Sequence, residues 1–508
     1  MAYPQAMLPF SRAGSRRGLF YAIATVWGLV AICLGLVMIS ELGSNDGSSK
    51  IYLLPWCIAT GAVIALPSIY LIYRGQFHPF HPLVFPAWSF FFPGFFIGGL
   101  VVALGGAQPY LLSLIQDEDH NLPLTFAFVI LGFGGLTAGF AVPYARKLGR
   151  WISGWLPKWE IPTSRIAFSG IVLMIVGLMN TLAAFALGIL GFQRVEEIGT
   201  FDGIIYLLSL FHIEATFLLW LYVFRNKRFG IWQLLIVGLL LVTAFTKSAF
   251  QGNRAGLVYI FVLIAFAYTF SGKALKAKHY AIGGIVVMIA VIFGIIYGTT
   301  FRNVKGSEEQ MSIDQYVTLV PATWNKLVEQ DPGTTLVNGF STLSERLDSI
   351  SPLAVVVSNY EALAPYEEAW GINDNIYVDT VIFFIPRVVW PDKPVSIDAS
   401  KYGDLYFNFA ENSFTLTPMG DLLRNFGPIG VPIGMFILGM IIRTLYASLI
   451  EGQDFSYWRV TLFYMMFSTI SFEGTFGLII PILFKVGVAS FFGLLIVRFC
   501  AGSLKKFA

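Results

Sequence analysis

Twelve apolar segments run through this chain of 508 residues, and after the ninth the pattern stops from Thr300 to Phe426 before it resumes. No other feature restricts the fold so strongly. Hydrocarbon offers a backbone no hydrogen bonds, so a crossing segment must satisfy its own N–H and C=O groups, which about 20 apolar residues in a helix achieve. Such segments occupy 18–41, 51–73, 83–105, 122–144, 166–190, 204–224, 230–246, 255–271, 280–299, 427–448, 459–477 and 478–498. The implied fold is an all-α polytopic membrane protein with about twelve transmembrane helices. Residues 1–299 would carry helices 1 to 9 and residues 300–426 one large, mostly helical extracytoplasmic loop; 427–508 would supply helices 10 to 12 and a cytoplasmic tail. Only 12% of residues are charged, about half the usage of soluble domains, so lipid is the solvent for most of the chain. The first apolar run is too long for the core of a cleavable signal and lacks a small-residue cleavage site, so it is expected to remain as a helix.

Basic residues set the expected orientation. Arg12, Arg16 and Arg17 precede the first segment; Arg146, Lys147, Arg150, Lys158 and Arg165 follow the fourth. Arg225, Lys227 and Arg228 follow the sixth, Lys273, Lys276 and Lys278 the eighth, and Lys505 and Lys506 close the chain. With twelve crossings all of these fall on one side, which the positive-inside rule makes cytoplasmic. Both termini are then inside and the long loop outside, as expected of a multi-pass protein of the bacterial cytoplasmic (inner) membrane. Residues 300–426 hold eight Lys/Arg against seventeen Asp/Glu, while the chain as a whole is +3. An acidic outer loop argues against nucleic acid, which needs a basic footprint. Cys33, Cys57 and Cys500 lie in or beside apolar segments and form no exported disulfide framework.

Familiar catalytic signatures are missing. There is no GxxxxGK[ST] phosphate loop, no HExxH zinc helix and no Gly-x-Ser-x-Gly turn. Asp117-Glu118-Asp119 could hold a divalent ion or simply form a solvated loop, and His78 and His81 stand in a Pro-rich turn without partner ligands. No metal and no cofactor is expected. Inside the segments, His212 and Glu214 lie deep in the sixth, and Glu473 and Lys485 near the outer ends of the last two. Ionisable groups in lipid are costly, so each either lines a cavity or is paired structurally.

The densest local signals flank and fill the loop. Arg254 stands in the turn Gln251-Gly252-Asn253-Arg254-Ala255-Gly256, Arg302 follows the ninth segment, and Arg346 and Asp348 share Ser344-Glu345-Arg346-Leu347-Asp348-Ser349. Arg387 opens Arg387-Val388-Val389-Trp390-Pro391-Asp392-Lys393-Pro394; Met419-Gly420-Asp421-Leu422-Leu423-Arg424-Asn425-Phe426-Gly427 leads into the tenth segment.

These windows, with the layout of many spans and one large late loop, resemble the Wzy-type oligosaccharide repeat-unit polymerases that build bacterial O-antigen and exopolysaccharide. The resemblance in motif covers three short windows, and the chain departs from the family pattern in carrying Asp421 and Leu423 where a Glu and an aromatic are usual. The resemblance implies a GT-C-like scaffold and a metal-independent glycosyltransferase that joins undecaprenyl-diphosphate-linked oligosaccharides on the outer face of the membrane. It also implies membrane lipid, a chain-length regulator and a flippase as partners. A lipid-linked glycan ligase, or a polysaccharide transporter or flippase, is the alternative.

Such chemistry would need guanidinium groups on the departing diphosphate, since a planar fork pairs with phosphate oxygens while staying charged. It would also need a carboxylate within reach of the acceptor hydroxyl. On that reading Asp421 is the candidate base and Arg387 its catalytic partner. Arg254, Arg302, Arg346, Asp348, Asp392, Lys393 and Arg424 are candidates for diphosphate or glycan contacts. Asp421 and Arg424, three apart, could equally be a structural pair at a helix start.

Overall fold

The computed structural model describes residues 50–190, 201–226, 229–251, 256–273, 277–305, 313–329, 346–373, 375–382, 385, 389–390, 393, 399–409 and 416–503. Its regular structure is helical. In chain order the helices are α1 (Ile51–Tyr73), α2 (Val84–Ala103), α3 (Glu118–Ala141), α4 (Pro143–Trp155), α5 (Thr163–Ala186) and α6 (Asp202–Arg225). Next come α7 (Ile231–Gln251), α8 (Gly256–Phe270), α9 (Ala277–Lys305) and α10 (Ile313–Glu329). α11 (Ile350–Trp370), α12 (Asn375–Ile382) and α13 (Ala399–Phe407) occupy the polar excursion. The chain closes with α14 (Thr417–Leu449), α15 (Tyr457–Ser468) and α16 (Phe476–Ser503).

Among the described residues nine helices are long and apolar enough to cross a membrane: α1, α2, α3, α5, α6, α7, α9, α14 and α16. The protein is therefore a multi-pass helical membrane protein. Of the twelve expected segments, 18–41 lies outside the described residues, and two are shorter than a crossing requires. The eighth is the 15-residue α8 and the eleventh the 12-residue α15.

The central seam joins α3 to α14 through close backbone approach. A side chain on Gly139 would put its Cβ 1.9 Å from the Phe436 carbonyl oxygen, and one on Gly439 would lie 2.1 Å from that of Leu136. Gly135 and Gly139, four apart on one face, form the small-residue stripe that lets membrane helices pack in lipid, where apolar burial supplies no driving force between them. Around this seam sits a core rich in aromatic rings, including the fully buried Phe91, Phe133 and Phe463. α4 is strongly amphipathic, with Trp151 and Trp155 exposed, the pattern of a helix lying at a membrane surface.

The loop and the scaffold are packed together. Ser349 N–H donates to the Gly94 carbonyl on α2 (3.1 Å), and the Leu347 carbonyl lies against Gly98. Asp348, one residue before the N-cap Ser349, accepts through Oδ1 from the N–H groups of Ile350 (3.0 Å) and Ser351 (2.9 Å) and so fills two orphan donors of α11. Residues Ile350–Val357 are then buried before the helix turns polar. Gly371, at φ 68°, ends α11 in the left-handed conformation that favours glycine.

Candidate functional site

α14 is two helices joined at a kink. Gly427 has φ 67° and ψ −167°, a conformation barred to side-chain-bearing residues, and Pro428 follows it. The expected tenth segment begins at this kink; the helix itself begins ten residues earlier, at Thr417, whose hydroxyl accepts the Gly420 N–H (3.3 Å). Pro418 fits this start because its missing N–H would have had no partner. The extra three turns carry Asp421, Arg424 and Asn425 toward α11, α12 and α13.

Asp421 is fully buried, and both its oxygens are occupied. Oδ1 accepts from Asn375 Nδ2 (3.0 Å), Asn425 Nδ2 (3.3 Å) and Arg424 Nη2 (3.4 Å); Oδ2 accepts from the Gly477 N–H (3.0 Å). Gly477 stands in the first turn of α16, where free N–H groups favour an anion. Arg424 is engaged through both terminal nitrogens, while its Nε has no partner among the described residues. Its Nη1 meets Glu367 Oε1 (2.7 Å), its Nη2 donates to Asn375 Oδ1 (2.7 Å), and both reach the Ile372 carbonyl (3.3 and 3.4 Å). The guanidinium lies over the Tyr402 ring at 4.9 Å, and Tyr402 stacks on Tyr406. Tyr406 in turn donates to Glu367 Oε1 (2.6 Å). Burial raises the pKa of both phenols, so each stays a hydrogen-bond donor.

This closed network frames a less committed carboxyl. Asp379 stands one turn beyond Asn375 on α12 and is 6% exposed, yet its Oδ2 has no hydrogen-bond partner among the described residues. Burial, and then the neighbouring Asp421 charge, push its pKa up to about 6, while a hydrogen bond from Asn375 and the charges of Lys393 and Lys485 pull the other way. Gly477 faces it closely: a Cβ there would meet Asp379 Oδ2 and Asn375 Nδ2, each at 3.2 Å. A carboxyl with one open oxygen, two lysines in electrostatic reach and a pKa near neutrality suits proton transfer.

The residues singled out in the sequence separate accordingly. Asp421 and Arg424 meet in the network, and Lys393, whose Nζ donates to the Ile385 carbonyl (3.0 Å), bears on Asp379. Asp348 is buried beside α2 just before the start of α11, with its pKa pushed up to about 6 by burial and its Oδ2 without a hydrogen-bond partner among the described residues, and Arg346 is exposed just before it. Arg302 falls near the end of α9. Arg254, Arg387 and Asp392 lie outside the described residues. Glu367, Asn375, Asp379, Tyr402 and Tyr406 did not stand out in the sequence. Their trace there is an i,i+4 spacing, Asn375 to Asp379 and Tyr402 to Tyr406, on helices too short to show a pattern.

Of the other polar groups singled out in the sequence, His78, His81, Glu118 and Glu214 each have at least one local partner. His78 and His81 each accept a backbone N–H through Nδ1, and burial lowers both pKa values to about 3. Glu118 of the acidic triplet pairs with Lys50. Glu214 is fully buried on α6 and accepts from Ser490 Oγ (2.8 Å), while its Oε2 and both ring nitrogens of the nearby His212 have no hydrogen-bond partner among the described residues.

No curated protein and no solved structure matches this chain. A family model described as a domain of unknown function, DUF8712, matches residues 171–476. That range holds α11 to α13, the kinked head of α14 and all the charged groups of the network. With about three fifths of its length under that model, the chain belongs to the DUF8712 family.

Proposed function

We propose that this protein is a membrane glycosyltransferase that joins polyprenyl-diphosphate-linked oligosaccharide repeat units on the outer face of the cytoplasmic membrane, with Asp379 as its general base. The observation that carries this reading is Asp379 Oδ2, buried without a hydrogen-bond partner among the described residues where the loop helices meet the heads of α14 and α16. Asp421 is the poorer base because four donors already hold its lone pairs, and protonating it would break an ion pair with Arg424. Its role here is to place α12 and to hold the Asp379 pKa up.

In the proposed step the acceptor sugar hydroxyl gives its proton to Asp379 Oδ2 as its oxygen bonds to the donor's anomeric carbon. The bond from that carbon to the diphosphate breaks, and the departing polyprenyl diphosphate keeps the electron pair. Stabilising that anion is the larger requirement, and Lys393 and Lys485 are placed near enough to Asp379 to contribute. Arg387, Arg254 and Arg302 remain the proposed guanidinium partners of the diphosphate on the strength of the sequence resemblance.

The test is purified protein in proteoliposomes given a lipid-linked repeat unit, with no nucleotide sugar. A ladder of products supports a polymerase, and Asp379→Asn should erase it without loss of folded protein. Transfer to a lipid A core instead would make it a ligase. Absence of any covalent product would end the enzyme reading and favour a carrier.

A further inference from the structure

A second built site lies at the far end of α14, about 30 Å of helix from Asp421, and it owes nothing to the glycosyl-transfer reading. A cavity of about 840 Å³ opens there between the ends of α1, α3 and α14 and the chain that follows α14. One wall is apolar: Leu66, Pro67 and Tyr70 of α1 face Phe140 of α3. Leu66 and Tyr70 belong to an exposed face of α1 that continues through Ile69 and Tyr73, the surface such a helix turns to lipid. The other wall is charged, with Arg146, Arg443, Glu451 and Asp454.

The charges are unevenly engaged. Glu451 serves both arginines, accepting from Arg443 Nη2 (2.9 Å) and Arg146 Nε (3.0 Å). Arg443 is buried and lies over the Phe140 ring at 5.0 Å, so it is fixed in place. Arg146 uses only Nε in that pair among the described residues, leaving its two terminal nitrogens for another acceptor. One cationic charge is then left over, and Asp454, exposed at the mouth, supplies an anionic one with no ion-pair partner among the described residues. Thr137 lines the space between the walls.

A ligand that answers all of these features carries a phosphate for Arg146 and Arg443 and an ammonium for Asp454. It also brings an acyl chain for the wall of α1. We propose that this cavity binds a glycerophospholipid whose head combines a phosphodiester with a primary ammonium. The amphipathic α4, which supplies Arg146 and begins at the cavity's rim, lies at the headgroup level where such a lipid would sit.

The experiment is native mass spectrometry of the full chain, delipidated and then returned to nanodiscs of phosphatidylethanolamine, phosphatidylcholine or phosphatidylglycerol. Phosphatidylethanolamine should be retained about tenfold better than either of the others, and Asp454→Asn should erase that preference. Arg146→Gln should lower retention of all three, and Leu66→Trp, which fills the apolar wall and leaves every charge in place, should abolish it. Both charged positions are exposed, and unchanged thermal unfolding will show that the variants fold. Equal retention of the three lipids, retention unaffected by Leu66→Trp, or equally tight binding of free O-phosphoethanolamine would each overturn the proposal, the last by showing a soluble-anion site.

Discussion

The two ends of α14 hold buried arginines in opposite company. At the head, Arg424 is closed in by Glu367, Asp421 and Asn375, with a stacked tyrosine beneath it. At the far end Arg443 and Arg146 share Glu451 and border an open cavity, while Arg459 is held by Ser153 Oγ (2.9 Å) and Gln453 Oε1 (2.7 Å) with no carboxylate partner among the described residues. Where carboxylates outnumber guanidiniums and both oxygens of Asp421 are held, the cluster fixes geometry. Where guanidiniums outnumber carboxylates beside empty volume, the cluster is built for an anion from outside. A charged group buried without partners costs several kcal/mol, so both arrangements are held for a reason.

The largest expected effect tests the closed end. Arg424→Met keeps volume but strands Glu367 and Asp421, and should cost about 3–5 kcal/mol, read as a drop in thermal unfolding temperature in detergent. Arg146→Gln, at the exposed rim of the open end, should shift stability by less than about 1 kcal/mol. Equal losses at the two positions would break the distinction between a closed and an open cluster.

Asp379→Asn should lower turnover by about 100- to 10,000-fold, the usual range for loss of a general base. The same change should raise stability at neutral pH. A folded pKa lifted from 3.8 to about 6 means that the folded state binds the proton more tightly, so stability falls as pH rises from about 4 to 6. Removing the ionised form should recover about 1–3 kcal/mol. Loss of activity with loss of stability would instead make Asp379 structural.

A pH profile separates Asp379 from Asp421. Activity should fall as pH drops through about 6, since the base must be ionised. Asp421→Asn removes a charge that lifts the Asp379 pKa, so in whatever activity remains the acid limb should move to lower pH. An unmoved limb would detach Asp421 from the base. Tyr406→Phe deletes one hydrogen bond to a carboxylate and should cost about 1.5–3 kcal/mol of stability, with the acid limb unchanged.

Much of the scaffold was legible because its cause is local. Backbone groups in hydrocarbon must pair within their own segment, so a run such as Glu118–Ala141 is a helix whatever surrounds it. The same argument fails for α8 and α15, whose apolar runs the chain breaks at 15 and 12 residues; hydropathy has no way to mark where a helix stops inside a protein-lined region. Asp421 and Arg424 stood out as an i,i+3 pair at the start of a span. Their partners did not, because Glu367 and Asn375 are 54 and 46 residues away from Asp421 along the chain and are brought in only by the turn at Gly371.

From its amino acids alone, then, this protein was bound to be a bundle of membrane-crossing helices interrupted by an acidic excursion. Solvent chemistry dictates that outcome residue by residue. Which carboxylates would be spent on arginines, and which would keep an oxygen unpaired among the described residues, was settled by the kink at Gly427, by the seating of Leu347–Ser349 on α2 and by the packing of α11 against α3 and α14. Partnership between charges depends on distances of 3 to 4 Å, and only packing between remote segments sets distances that short.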